Sequence, residues 1–110
     1  DFYGCSSLVK VYLPKTLKKI GNSSFYGCKS LESIEIPESV TSLGNYSFEN
    51  CSSLKELYLP NVVSIGVDAF YGCTNLRKII LPRAFDNIYD ISLEYLKSYT
   101  GIGSNVFLKY

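Results

Sequence analysis

One short sequence pattern recurs four times along this chain at a nearly fixed interval. Its cysteines are Cys5, Cys28, Cys51 and Cys73, which lie 23, 23 and 22 residues apart. Phenylalanine and proline recur with the same spacing, one of each in every unit. A fixed period of about 20 to 50 residues is typical of solenoid proteins, in which each unit is stable only when it packs against its neighbours. The period therefore predicts a stack of similar coils within one domain.

Each unit contains a short segment whose pattern predicts a β-strand. In the first unit, Lys10, Val11, Tyr12 and Leu13 alternate between outward and inward types, and Pro14 follows them. This alternation predicts a strand with Val11 and Leu13 facing the core and with Lys10 and Tyr12 facing outward. Proline has no backbone N–H to donate, so it is expected to end the strand.

A second apolar pair in each unit is predicted to turn inward on the opposite side of the coil. The pairs are Leu17 and Ile20, Val40 and Leu43, and Val62 and Ile65, each followed by Gly21, Gly44 or Gly66. Glycine is expected there because it permits a backbone conformation that a side chain would hinder. The phenylalanines and cysteines are expected to fill the interior, each stacked on its equivalents in neighbouring units.

The full pattern resembles that of the BspA-type leucine-rich repeats found in bacterial and protist surface antigens. Residues 43–65 follow the unit Ile-Gly-x-x-Ala-Phe-x-x-Cys-x-x-Leu-x-x-Ile-x-Ile-Pro-x-Ser-Val-x-x almost position for position, and the resemblance is continuous over residues 1–82. It implies an α/β-type solenoid that is mainly β: a right-handed leucine-rich-repeat solenoid whose short parallel strands line the concave side. The four full repeats are placed at about residues 1–20, 21–43, 44–65 and 66–82.

The remaining residues are interpreted as an insert and a partial fifth repeat. Residues 98–107 match residues 39–48, which aligns Phe107 with Phe48 and places the partial repeat at residues 98–110. The insert, about residues 83–97, has rough helical spacing of its apolar residues. It is interpreted as a helical bulge in a loop or as a recognition element. The chain shows no polar caps at its ends, and we expect it to be a fragment of a longer array.

The four cysteines allow three interpretations: free thiols in the core, disulfides, or a metal site. Zinc sites use closely spaced cysteine pairs or histidines, and this chain has neither. Stacked cysteines lie close enough for disulfides, but their side chains are expected to point the same way into the core. We favour reduced cysteines that pack as small apolar residues, and we predict no metal and no cofactor.

Composition argues against catalysis and against nucleic-acid binding. Without histidine the chain has no Ser-His or Cys-His nucleophile pair, so it is predicted not to be an enzyme. Glu35 and Glu56 are interpreted as solvated surface residues rather than as an acid–base pair. The net charge is only +1, and no basic stripe indicates nucleic acid as a partner. No apolar stretch is long enough to span a bilayer, so direct membrane insertion of these residues is not predicted.

The outward strand positions are the best candidates for a binding surface because they differ between units while the inward positions do not. They are Lys10, Tyr12, Ser33, Glu35, Glu56, Tyr58, Lys78 and Ile80. Tyrosine suits such a surface because it adds contact area at modest entropic cost.

The predicted function is non-catalytic protein binding. The resemblance implies a cell-surface or secreted adhesin-like protein, extracellular in location, with host extracellular-matrix or surface proteins as its partners. The alternative is a structural spacer or stalk whose repeats display another domain. The fold alone does not decide between these two functions.

Overall fold

Short parallel β-strands form the framework of the protein in the computed structural model, which describes residues 2–81, 101 and 107–109. The strands are β1 Lys10–Val11, β2 Lys19–Ile20, β3 Ser33–Ile34, β4 Ser42–Leu43, β5 Glu56–Tyr58, β6 Ser64–Ile65, β7 Lys78–Ile80 and β8 Phe107–Lys109. In the first three units Pro14, Pro37 and Pro60 follow β1, β3 and β5 within three residues. The strands therefore end before the prolines, but β1 and β3 are shorter than predicted, because each ends three positions ahead of its proline.

The strands occupy two sides of a common core. Equivalent strands of successive units make the sheets β1–β3 and β5–β7–β8 on one side, while β2, β4 and β6 make a sheet of their own. The sequence predicted only that the second apolar pair turns inward. The structure adds a regular parallel ladder there, in which Ser42 lies opposite Ser64 and Leu43 lies opposite Ile65. The architecture is the predicted mainly-β leucine-rich-repeat solenoid.

Stacked phenylalanines run along the centre of the core. The ring centroids of Phe2 and Phe25 are 5.3 Å apart, those of Phe25 and Phe48 are 5.2 Å apart, and those of Phe48 and Phe70 are 5.9 Å apart. The planes of neighbouring rings differ by only 8° to 13°. Phe25, Phe48 and Phe70 are buried, whereas Phe2, in the first unit, is only partly buried. Each ring thus helps to bury the ring of the following unit, and Phe2, which has no described ring before it, stays only partly buried.

Two of the glycines that follow the second apolar pair, Gly44 and Gly66, are needed for a different reason from the one predicted. Gly21, Gly44 and Gly66 are not among the residues with positive φ. A Cβ atom added to Gly44 would lie 2.6 Å from the backbone nitrogen of Asn22 and 2.7 Å from the carbonyl carbon of Gly21. Gly66 meets Asn45 and Gly44 in the same way. The constraint is therefore close contact with the preceding coil and not an unusual backbone conformation.

Asparagine side chains join successive coils next to these glycines. The Asn22 side-chain oxygen accepts a hydrogen bond from the backbone N–H of Asn45, with a nitrogen–oxygen distance of 2.8 Å. The Asn45 side-chain oxygen accepts one from the backbone N–H of Val67 at 2.9 Å. These bonds satisfy backbone donors at turns, where no strand partner is present.

The last described strand corrects the predicted alignment of the tail. In β8, Phe107 lies opposite Lys78, and Leu108 lies opposite Ile79. Phe107 is therefore at a strand position and not at the position of Phe48, as the match between residues 98–107 and 39–48 implied. Gly101 agrees with this register, because it has φ of +76° and Gly72 has φ of +80°. The match between residues 98–107 and 39–48 does not determine the register, because the register depends on which residues of the preceding strand the chain pairs with. The insert at 83–97 lies outside the described residues.

Candidate functional site

The predicted binding residues lie along the outward side of β1, β3, β5 and β7 and of the residues just after β1 and β3. We call this surface the strand face, and define it by Lys10, Tyr12, Ser33, Glu35, Glu56, Tyr58, Lys78 and Ile80. All are exposed except Lys78 and Ile80, which are half-buried. The buried residues Val11, Ile34, Leu57 and Ile79 separate the two outward positions of each unit. The alternation predicted from sequence is therefore observed, while the role of this face stays a prediction.

The register of the strands arranges the strand face in two columns. Lys10 lies opposite Ser33 in β3, and Glu56 lies opposite Lys78 in β7. The second column contains Tyr12, Glu35, Tyr58 and Ile80, of which Tyr58 and Ile80 are direct partners across β5 and β7. Glu35 and Glu56 thus belong to different columns and are not equivalent positions of neighbouring units. The two carboxylates are therefore not direct neighbours across the strands, as an acid–base pair would require.

Two tyrosines dominate the second column. The side chain of Tyr12 is 77% exposed and that of Tyr58 is 60% exposed, so neither ring contributes to the core. Glu35 occupies the unit between them and is also exposed. Large aromatic side chains that project from rigid strands are favourable contact groups, because little conformational entropy is lost when they bind.

A shallow depression of about 600 Å³ opens between these three side chains. Beyond them, its lining includes Lys15, Pro37, Glu38, Ser39 and Pro60, which follow the strands in sequence. The sequence prediction missed these residues because it considered only strand positions. The recurring proline could have identified them, because in each unit it lies just after the tyrosine-column position and marks where the chain turns away from the strand. A smaller hollow of about 170 Å³ lies next to it, along Glu56, Tyr58, Lys78 and Ile80.

One cation–π contact exists within the strand face. The Lys10 ammonium lies 5.4 Å from the centroid of the Tyr12 ring. This distance is within the range in which a cation is attracted to the face of an aromatic ring. The Tyr12 ring therefore presents a face to a positive charge within the protein itself.

The cysteines lie in the interior, away from the strand face, and are all free thiols. Cys28, Cys51 and Cys73 each donate a hydrogen bond to the carbonyl of a phenylalanine in the preceding unit, at sulfur–oxygen distances of 3.1, 3.1 and 3.0 Å. Burial raises the pKa of the Cys28 and Cys51 thiols, and it raises the pKa of Cys73 to about 12. A thiol that stays protonated is a poor nucleophile and a poor metal ligand, so these residues have a packing role.

Acidic residues do not form a metal site in the part of the chain that the structure describes. Within that part, no group of three or more potential ligand side chains comes together. Glu49 lies near Asp68, and its pKa is raised, first by partial burial and then by the negative charge of Asp68. Two carboxylates alone fall short of the ligand number that protein-bound cations require.

Comparison with known proteins agrees with this architecture. A family model described as "BspA type Leucine rich repeat region (6 copies)" matches residues 1–100. A crystal structure of a leucine-rich repeat protein of T. pallidum is similar, with 33% identity and a TM-score of 0.67 over 74% of this chain and 49% of that chain. A leucine-rich repeat protein from Bacteroides ovatus is similar with 30% identity and a TM-score of 0.62, over 74% of this chain and 27% of that chain.

The relatives are longer than the region they share with this chain. The chain spans about half the length of the T. pallidum protein and about a quarter of the Bacteroides ovatus protein. No curated protein matches the chain. The described residues include no helix with the length and hydropathy that crossing a bilayer requires. Leucine-rich-repeat neighbours of this kind are generally non-enzymatic scaffolds.

Proposed function

The chain belongs to the BspA-type leucine-rich-repeat family, and from this premise we propose that it is a protein-binding module whose strand face contacts the partner. Leucine-rich-repeat domains generally mediate protein–protein interaction. The proposal assigns that interaction to one surface of this chain, the outward side of β1, β3, β5 and β7.

The observation that carries the proposal is the exposure of Tyr12 and Tyr58 on either side of Glu35. A stack of this kind is stabilised by its inward residues, and these two exposed tyrosines lie outside that core. Tyrosine is enriched in protein interfaces, where a few well-placed aromatic residues supply most of the binding energy. The depression between the two rings supplies the concave site in which such anchors act.

We further propose a cell-surface or secreted, adhesin-like role for the protein that contains this chain. BspA-type repeat proteins are typically surface-associated. The partner would then be a host extracellular-matrix or surface protein, bound at several points along the strand face. The multi-point contact follows from the regular spacing of the units, each of which has one pair of outward residues on or just after its strand.

The test is a binding assay with purified extracellular-matrix proteins immobilised one by one. The wild-type chain is compared with a Tyr12→Ser/Tyr58→Ser variant and with a matched Tyr3→Ser/Tyr71→Ser variant. Tyr3 and Tyr71 are 63% and 57% exposed, close to the exposure of the first pair, but they lie in the turns before each cysteine and not on the strand face. Circular dichroism and thermal melting verify that all three proteins are folded.

The proposal expects a partner that the wild type and the Tyr3→Ser/Tyr71→Ser variant retain and that the Tyr12→Ser/Tyr58→Ser variant loses. If both variants retain the partner equally well, the strand face is not the binding surface. Failure of the wild type to retain any partner would favour the spacer function.

A structural spacer is the second candidate function, and one observation favours it. The hydrogen bonds between units repeat with little variation. The side chains of Asn22 and Asn45 accept equivalent bonds from the next coil. The thiols of Cys28, Cys51 and Cys73 donate equivalent bonds to the phenylalanine carbonyl of the preceding unit. Stability in such an array is approximately a sum over units and their interfaces, so length can vary without loss of fold. A spacer would tolerate removal of a whole unit without loss of its function.

A further inference from the structure

The tyrosine column of the strand face combines two aromatic rings with one carboxylate. Successive units of the stack are about 5 Å apart, as the 5.3 Å and 5.2 Å between the stacked rings of Phe2, Phe25 and Phe48 show, so equivalent positions two units apart are separated by roughly 10 Å. Tyr12 and Tyr58 are two units apart, with Glu35 in the unit between them. Atoms in van der Waals contact are about 3.5 to 4 Å apart, so one flat group between two rings needs roughly 7 to 8 Å. The column therefore has room for a single flat group between the two tyrosines.

The chemistry of the three side chains favours a positively charged group in that space. The faces of tyrosine rings attract cations, and a carboxylate accepts hydrogen bonds from them. Arginine fits better than lysine, because its guanidinium is planar, stacks on aromatic rings and can donate two parallel hydrogen bonds to one carboxylate. A lysine ammonium is compact and strongly hydrated, so it gains less from a slot between two rings.

The lining of the depression beside the column carries a net negative charge. Among the residues that line the depression, Glu35 and Glu38 are acidic and Lys15 is basic, which leaves one net negative charge. Pro37 and Pro60 supply apolar surface against which the methylene groups of an arginine side chain can pack. The Lys10 ammonium lies outside this lining, 5.4 Å from the Tyr12 ring centroid, and a partner's guanidinium would contact the other face of that ring or displace the ammonium.

We propose that Tyr12, Glu35 and Tyr58 form a subsite for one arginine side chain of the protein partner. The proposal rests on the proposed function, because it names the group that the same surface recognises. It assigns Glu35 the hydrogen bonds to the guanidinium and assigns the two tyrosine rings the contacts with its faces.

The test is an NMR titration of the chain with short synthetic Gly-Ser peptides that differ at one central residue. One peptide carries arginine, and the second carries citrulline, which has nearly the same shape but no charge. The chain variants are Glu35→Gln and the matched control Glu32→Gln. Glu32 is an exposed carboxylate of the same unit that does not line the depression.

We expect the arginine peptide to give saturable shifts of the Tyr12, Glu35 and Tyr58 signals and to bind at least about tenfold more tightly than the citrulline peptide. We expect Glu35→Gln to weaken the arginine peptide about tenfold, as loss of a charge-assisted contact does, and Glu32→Gln to leave it unchanged. Equal binding of both peptides, equal effects of the two substitutions, or no shifts at millimolar peptide would each overturn the arginine subsite.

The two proposals fail in different experiments. If the Tyr12→Ser/Tyr58→Ser variant loses its protein partner but the peptides show no arginine preference, the strand face is a binding surface and only the arginine subsite is wrong. If that variant retains the partner, the proposed function of the strand face is wrong, whatever the peptides show.

Discussion

The thiol of Cys51 donates a hydrogen bond to the backbone carbonyl of Phe25 in the preceding unit, with the sulfur 3.1 Å from the oxygen. Cys28 and Cys73 make the equivalent bonds to Phe2 and Phe48. A cysteine at this position is therefore more than a small apolar residue, because its thiol adds a second donor to a carbonyl that also accepts a turn hydrogen bond, which for Phe25 comes from the Cys28 N–H. For Cys28, Cys51 and Cys73 this bond between coils is a physical reason for cysteine at the position.

The buried thiols predict a loss of stability at alkaline pH. In the folded chain, burial raises the pKa of Cys73 to about 12 and holds the pKa of Cys51 above its usual range, while the ordinary value is 9.0. Above that ordinary value the unfolded chain loses thiol protons that the folded chain keeps. The free energy of unfolding then falls by up to about 1.4 kcal/mol per pH unit for each thiol. The thiol contribution is complete below about pH 9 and is lost as the pH rises toward 12.

Urea unfolding at about pH 8 and about pH 10 measures this loss, because between the two values the Cys51 and Cys73 thiols ionise in the unfolded chain but not in the folded one. A Cys51→Ala/Cys73→Ala variant is the control, since it keeps every other titratable group of the chain. We expect the variant to be less stable at both pH values but to lose less stability between them. An equal loss in the two proteins would show that the thiols do not cause the pH dependence.

Replacing Phe48 by alanine is expected to destabilise the protein by about 3–5 kcal/mol, because it leaves a cavity between two stacked rings. Phe48 is fully buried, and its ring lies 5.2 Å from that of Phe25 and 5.9 Å from that of Phe70. Denaturant unfolding measures the change in the free energy of unfolding. Phe2→Ala is the control and should cost less, because Phe2 is only partly buried. An unchanged stability of Phe48→Ala would contradict the assigned register.

A Gly44→Ala substitution tests the close contact between coils. The added Cβ would lie 2.6 Å from the backbone nitrogen of Asn22, so one of the two coils must shift. We expect a loss of about 1–3 kcal/mol, the usual cost of overpacking. Gly21→Ala is the matched control, since its Cβ would meet only the Ser24 hydroxyl at 3.4 Å. Equal melting temperatures of the two variants would contradict the contact as the reason for glycine.

Local patterns in the sequence predicted most of the fold because they determine which side chains face inward. The alternation over residues 10 to 13 placed Val11 in the core and Tyr12 outside, and both are observed there. Leu13 was predicted inward but is only half-buried, whereas its equivalents Ile36 and Leu59 in the following units are buried. The difference reflects the position of Leu13 in the first unit of the stack, which a local pattern does not describe.

The sequence pattern does not predict the specific contacts between units. The thiol bond of Cys51, the contact at Gly44 and the pairing of Phe107 with Lys78 all join residues more than 20 positions apart. They depend on how one coil lies on the next, and a residue's own neighbours in the chain carry no information about that. The candidate site was predicted in part for the same reason: Tyr12 and Tyr58 follow from alternation, whereas Pro37 and Pro60 join them only through the stacking of units.

Deletion of residues 21–43 tests the role of the tyrosine column in binding. The deletion joins Ile20 to Gly44, which normally follows the equivalent residue Leu43, so the remaining units can stack. We expect a cooperatively folded but less stable protein that no longer binds its partner, because Glu35 is removed and Tyr12 becomes the neighbour of Tyr58. Melting curves and the matrix-protein assay measure the two effects. Unchanged partner binding by the deleted protein would contradict the role of the tyrosine column.

The most direct test of the account is to map the residues that a bound partner contacts. NMR spectra of the isotope-labelled chain are recorded with and without the matrix protein captured in the binding assay. The account predicts that signals of Tyr12, Glu35 and Tyr58 change most, while those of Lys19, Ser42 and Ser64 on the β2–β4–β6 sheet stay unchanged. The largest changes on the β2–β4–β6 sheet, with none on the strand face, would contradict it.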